Sequence, residues 1–265
     1  MKLQIRHETR YDFDAPVPFG LQQLRKTPKS FRNQSIESWN TTVVGGQKQL
    51  SFEDYHRNTV ELISFDANTQ SVSLVSEGVV DVEDTHGILG RHEGSTPLWL
   101  FKRSTKQTKP GKGVADLVRS LPQGEPLEQM HALSEAIRDS VRYKVGSSQP
   151  DWCAEDAIDA GNGVCQDHAH VFLACARILG HPARYVSGYL MMNETELQDA
   201  THAWVEVHLD GLGWVGFDVS NGISPDNRYV RVATGLDYAQ AAPVIGNRFG
   251  TAGEQLTVQL QVAQQ

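Results

Sequence analysis

The chain predicts an α+β fold, with an N-terminal antiparallel β unit followed by helices packed on a second antiparallel sheet. Three observations predict it. Apolar residues alternate with a period of two through much of residues 1–82. Helical spacing replaces that alternation between residues 126 and 179. Alternation then returns from residue 183 onward. Period-two spacing marks half-buried strands, and spacing of three and four marks an amphipathic helix.

Each element follows from its residues. Leu3, Ile5, Tyr11 and Phe13 share one parity along an extended stretch that ends at Pro16 and Pro18. Val72, Leu74, Val80 and Val82 alternate as well, with Ser76 and Gly78 between them. Gly45-Gly46 and Asp66-Ala67-Asn68 supply turn chemistry between further strands. Residues 1–82 therefore read as a small antiparallel sheet or sandwich. Residues 83–125 are punctuated by glycine and proline and read as a linking segment. Their basic run, Lys102, Arg103, Lys106, Lys109 and Lys112, reads as a solvated loop.

A catalytic unit is expected over residues 126–265. Leu127, Met130, Leu133, Ile137 and Val141 recur at helical spacing, and Pro126 suits a first turn. A second helix is expected from about 165 to 179, with Ala169, Phe172, Leu173, Ala176 and Leu179 as its apolar stripe. Gly180-His181-Pro182 stops it. Ala203, Val205, Val207 and Leu209 then alternate with His202, Trp204, Glu206 and His208. Asp210-Gly211-Leu212-Gly213 reads as a hairpin loop, after which Val215 and Phe217 face one way and Trp214, Gly216 and Asp218 the other. Leu256, Val258, Leu260 and Val262 form a last alternating strand.

Composition narrows the function. The chain has 265 residues, with 24 Lys+Arg against 32 Asp+Glu and a net charge of −8. That balance argues against a nucleic-acid partner, whose phosphates call for a basic face. No apolar run approaches the roughly 18 residues that suggest a membrane span. The first residues lack the apolar core of a signal peptide, so the cytoplasm is the expected location and no membrane partner is expected. Three cysteines, Cys153, Cys165 and Cys175, are too few and odd in number for a disulfide framework.

One cysteine stands apart. Gly161-Asn162-Gly163-Val164-Cys165 turns the backbone tightly and places Cys165 at the start of the second helix. The positive end of the helix dipole favours a thiolate, the attacking form in thiol catalysis. Cys175 lies mid-helix, and Cys153 follows Trp152 in a loop. His202 opens a strand, and Asp218 lies on the same face of the partner strand across the hairpin. A carboxylate so placed orients an imidazole base.

These blocks resemble a known family. Gly163-Val164-Cys165-Gln166-Asp167, Ala183-Arg184-Tyr185-Val186-Ser187-Gly188-Tyr189-Leu190, His202-Ala203-Trp204-Val205-Glu206-Val207 and Gly213-Trp214-Val215-Gly216-Phe217-Asp218 resemble, in order, the bacterial transglutaminase-like superfamily. Asp237-Tyr238-Ala239 resembles its trailing block, and the N-terminal β region resembles its N-terminal domain. The resemblance implies a papain-like core, with a helix-borne Cys on an antiparallel sheet. It implies Cys165 as nucleophile, His202 as base and Asp218 as orienting acid of a cysteine protease or amidase. The family usually has Pro-Thr after the acid, where Val219-Ser220 stand here. It also has Arg and Asp where Leu236 and Gln240 stand. These departures bear on substrate choice more than on chemistry.

The expected reaction is cleavage of an amide in a peptide, a protein or a small molecule through a thioester. The Cys165 N–H is one oxyanion donor, and Gln166 and Tyr143 are candidates for the second. Trp152, Trp204 and Trp214 are candidates to line a cleft. Transamidation by the same residues and a binding module that keeps the fold are the alternatives. Cys165, His168 and His170 lack the spacing of a four-ligand zinc site, so no metal and no other cofactor is expected.

Overall fold

The computed structural model describes residues 1–149, 151–192 and 195–265. Six strands open the chain: β1 (Lys2–Val17), β2 (Phe19–Leu24), β3 (Gln34–Val44), β4 (Gly46–Glu53), β5 (Thr59–Phe65) and β6 (Thr69–Val82). A short strand β7 (Ile88–Gly90), a 3-10 turn at Leu98–Lys102 and helix α1 (Lys112–Ser120) follow. Then come α2 (Pro126–Ser140), β8 (Arg142–Tyr143), α3 (Ala154–Ala160), β9 (Asn162–Gly163) and α4 (Cys165–Ile178). The chain continues with β10 (Ala183–Leu190), β11 (Leu197–Gln198), β12 (His202–Leu209), β13 (Gly213–Phe217) and β14 (Tyr229–Gly235). It ends with α5 (Tyr238–Ala241), β15 (Val244–Phe249) and β16 (Glu254–Gln264).

Two antiparallel sheets form a sandwich. One runs β11-β16-β1-β6-β3 and the other β15-β2-β5-β4. Tyr11, Phe13, Val17, Leu24, Ile63, Phe65, Val72 and Leu74 fill the space between them. The residues expected to alternate do so, with Leu3, Ile5, Val80 and Val82 buried. Those four, at the other end of the same sheet, join the core of the helical half together with Leu260 and Val262. One long sheet thus buries one end of its strands against the sandwich and the other against the helices.

The second half is built on the sheet β14-β10-β12-β13-β7. Helix α4 packs on β12 and β10 and is flanked by α1, α2 and α3. It is buried nearly all round, and Phe172 stacks on Phe217 with ring centroids 5.4 Å apart. Val205 pairs with Phe217 and Val207 with Val215 across the hairpin, as the alternation requires.

The structure departs from the expected division in two places. Strand β7, in the linking segment, pairs with β13 and completes the second half's sheet. Buried Arg177 further ties that segment to the core by donating to the Phe101 carbonyl at 3.1 Å and to Thr108 Oγ1 at 2.8 Å. The tail strand β16 pairs not with that sheet but with β1, Leu3 opposite Gln264 through Phe13 opposite Glu254. Periodicity states which face of a strand is buried, not which strand lies beside it. The basic side chains Lys102, Arg103, Lys106, Lys109 and Lys112 are exposed, while Thr108 between them is buried. Among the described residues no helix is long and apolar enough to cross a membrane.

Candidate active site

Helix α4 begins at Cys165 because the preceding turn leaves no alternative. Gly161 ends α3 in the left-handed region at φ 63°. Gly163 gives Asp167 its room: a Cβ there would stand 2.7 Å from the Asp167 Cβ. Asp167 Oδ2 accepts from the Val164 N–H at 2.8 Å and closes the first turn. Ser148 Oγ donates to its other oxygen at 3.0 Å. The first N–H groups of a helix have no acceptor inside it, so they face whatever lies beyond the helix end. Cys165 is part-exposed there, whereas Cys175 is fully buried.

His202 is the first residue of β12, at the rim of the sheet. Its Nε2 donates to Asp218 Oδ2 at 2.6 Å. The Cys165 thiol at the start of α4 is the other group that acts on this ring. Burial opposes charge on this imidazole. The hydrogen bonds to Asp218 and Cys165 and their charges outweigh it and push its pKa up to about 10. Asp218 is fully buried. Burial favours its neutral form, but the bonds from His202, Tyr229 and Asn221 hold it below the usual carboxylate range.

Asp218 is held by more than His202. Tyr229 Oη donates to Oδ2 at 2.7 Å, as does Asn221 Nδ2 at 2.7 Å. The Asn221 N–H donates to Oδ1 at 3.2 Å. Trp204 and Tyr229 pack beside the His202 ring, at centroid distances of 6.3 and 6.0 Å. The structure thus brings Cys165, His202 and Asp218 together from one helix and two strands.

The remaining expected residues fall in different places. Tyr143, half-exposed on β8, pairs beside Gly163 in a short parallel ladder. Burial raises its pKa, with charge at Cys165 and Asp218 adding to the effect, so it borders the site. Gln166 is half-buried on the first turn of α4, and Trp152 is half-buried against the main core. Trp204 is 3% exposed. It is buried with Val186, Leu190 and Tyr229, as a support behind His202. Trp214 is buried against Phe101, with the Arg184 guanidinium 3.8 Å over its ring.

Four contributors went unread in the sequence. Tyr229 and Asn221 both lie beyond the predicted hairpin, Asn221 in the turn after Asp218 and Tyr229 at the start of β14. His168 donates from Nε2 to the Val141 carbonyl at 2.8 Å, and its Nδ1 meets Ser220 Oγ at 2.9 Å. It ties the loop after Asp218 to the end of α2. The apolar period of α4 carries no mark of this, because side-chain partners are set by tertiary contact. Both His168 ring nitrogens are thus engaged, and the Tyr238 N–H donates to His170 Nε2 at 3.2 Å. Among the described residues no cluster of three or more His, Cys, Asp or Glu could hold a metal ion.

This geometry can be set beside known proteins. An uncharacterized protein of Mycobacterium leprae is 24% identical, over 98% of this chain and 98% of its own length. An uncharacterized protein of Mycobacterium bovis is 27% identical, over 92% of this chain and 87% of its own. A crystal structure described as a "putative cysteine protease" from Cytophaga hutchinsonii superposes with a TM-score of 0.81 at 23% identity. That superposition covers 99% of this chain and 90% of the other, and shows that the fold is shared. Residues 3–81 match the bacterial transglutaminase-like N-terminal region, and residues 115–219 match the transglutaminase-like superfamily core, which contains Cys165, His202 and Asp218. Both halves of the chain thus point the same way, and the protein belongs to the transglutaminase-like superfamily.

Proposed function

We propose that this protein is a cysteine-dependent amide hydrolase in which Cys165 is the nucleophile, His202 the acid–base group and Asp218 its orienting carboxylate. The observation that carries this reading is the bond from His202 Nε2 to Asp218 Oδ2, 2.6 Å long, beside a helix whose first residue is Cys165. The raised pKa of His202 keeps it protonated at neutral pH, ready to give a proton to a leaving nitrogen.

The sulfur attacks the amide carbonyl, and a C–S bond forms as the carbonyl oxygen takes negative charge. The N–H groups at the start of α4 receive that charge, a role worth about 3–4 kcal/mol per donor. His202 passes its proton to the leaving nitrogen as the C–N bond breaks. Water, deprotonated by His202, then releases the thioester as a carboxylic acid. An amine in place of water gives transamidation by the same residues.

Substrate profiling against a peptide library tests this reading, with wild type and Cys165→Ala in parallel. Turnover that disappears in Cys165→Ala, His202→Ala and Asp218→Ala is expected. Equal turnover by wild type and Cys165→Ala removes the mechanism. A fluorescent amine added to a glutamine-containing substrate separates the two outcomes of the thioester, and incorporation faster than hydrolysis makes the protein a transamidase.

A further inference from the structure

Two cavities are lined by sequence neighbours of the proposed catalytic residues. One, of about 550 Å³, is lined by Tyr143, His168 and Ser220 together with Arg138, Arg142, Glu135 and Asp139. The other, of about 200 Å³, lies between the N-terminal sheet and the segment that leads into His202.

We propose that the smaller cavity is a subsite for an uncharged apolar side chain of the substrate, so that β1 and β16 of the N-terminal sheet form part of the substrate site. This rests on the thiol-hydrolase reading above. Its walls are Tyr11, Tyr238, Pro243, Val244, Leu256 and Val258, an apolar lining with two phenol rings. The volume is below the roughly 300–1,000 Å³ of ligand-sized pockets and suits one side chain.

Two residues connect this cavity to the reacting groups. Thr201 lies in its wall and directly precedes His202. Tyr238 lies in its wall and packs, like Cys165, at the margin of the main core. Burial raises the Tyr238 pKa, with charge at Cys165 adding to the effect.

The charge around the cavity favours a neutral occupant. His7 faces it but carries no charge: burial holds the ring neutral, and nearby Lys26 adds to the effect. Both His7 nitrogens are engaged, Nδ1 with Tyr189 Oη at 3.2 Å and Nε2 with Thr9 Oγ1 at 3.3 Å. The one carboxylate of the lining, Asp199, is exposed at the rim. The floor is a paired ladder, with Thr9 opposite Val258 and Tyr11 opposite Leu256, so it keeps its shape without a ligand.

Covalent probes test the proposal without a known substrate. In each, the thiolate sulfur displaces iodide from an iodoacetamide methylene; a C–S bond forms and the C–I bond breaks. Full-length protein is labelled with iodoacetamide, N-benzyl-iodoacetamide and N-(2-aminoethyl)iodoacetamide. The Cys165 adduct is followed by mass spectrometry, and each rate is divided by that of glutathione. The benzyl reagent is expected to exceed iodoacetamide by about tenfold, the effect of burying one ring. Leu256→Trp and Val258→Trp, which fill the cavity, should bring that ratio close to one. Leu50→Trp, on exposed β4, should keep the wild-type ratio. A wild-type ratio close to one, a preference that survives both filling variants, or faster labelling by the aminoethyl reagent overturns the proposal. The hydrolase reading fails separately, if plain iodoacetamide labels Cys165 no faster than Cys153.

Discussion

Tyr229 donates its hydroxyl to Asp218 Oδ2 at 2.7 Å, the same oxygen that accepts from His202 at 2.6 Å. With Asn221 as a third donor, this oxygen has its acceptor capacity filled. The carboxylate cannot rotate away from the imidazole without breaking two further bonds. Tyr229→Phe keeps the ring packing and removes one charge-assisted bond, worth about 1.5–3 kcal/mol. The expected result is a kcat about ten- to a hundred-fold lower with KM little changed. Tyr229→Ala should lose more, because Trp204 then loses its edge-to-face partner at 5.4 Å. Steady-state kinetics on both variants, with near-ultraviolet dichroism to check packing, decides this.

The charge state of His202 sets an alkaline limit. Burial lowers its pKa, and Asp218 and Cys165 more than offset burial. Asp218→Asn removes the carboxylate and leaves burial in place, so the imidazolium should lose its proton at lower pH. The alkaline limb of amide turnover, where His202 must still protonate the leaving nitrogen, is expected to move down by about one to three pH units, the usual range for a neighbouring opposite charge. An unchanged limb would mean that Asp218 does not hold the proton on His202.

The three cysteines should react in a fixed order. Cys165 is part-exposed at a helix start, and Cys153 is part-exposed with its thiol pushed up by burial and by Asp156. Cys175 is fully buried, and burial pushes its thiol up to about 12. Iodoacetamide at pH 6 is expected to label Cys165 first, Cys153 slowly and Cys175 only after denaturation. Peptide mapping at timed intervals reads the order directly.

Lys26 gives the fold its own pH dependence. It is 1% exposed, and its Nζ donates only to uncharged oxygens: the His7 carbonyl at 3.2 Å, Thr9 Oγ1 at 3.0 Å and the Leu74 carbonyl at 3.1 Å. Burial lowers its pKa from 10.5 to about 7, with Glu8 opposing weakly. Between those values the unfolded chain binds the proton and the folded chain does not, so stability rises with pH across that window. Below pH 7 both states hold the proton and the full cost of the buried charge remains. Urea unfolding of the wild type should show a gain on the order of a few kcal/mol between pH 7 and 10. Lys26→Met should lack that rise, and a parallel slope in both proteins would locate the titration elsewhere.

The local chemistry of the site was legible in the residues. Gly161-Asn162-Gly163 before Cys165, the stop at Gly180-His181-Pro182 and the alternation on either side of Asp210-Gly211-Leu212-Gly213 are short-range signals. The structure places α4 at Cys165–Ile178 and pairs Val205 with Phe217 as those signals imply. Backbone geometry and one-sided burial are properties of neighbouring residues, so a single sequence states them.

What needed the tertiary structure is everything that distant segments do to one another. The tail strand β16 lies beside β1, and β7 beside β13, because edge strands take whichever partner completes a buried face. Asn221, Tyr229 and Ser220 reach Asp218 and His168 from a turn and a strand beyond the predicted hairpin. Trp204 carries the same one-letter signal as a cleft residue, yet it is buried behind His202. The sequence by itself determined which side chains could carry thiol chemistry and on which elements they sit. The packing of one helix end against a sheet rim decided that they meet, because hydrogen bonds and desolvation act over a few ångströms of space rather than along the chain.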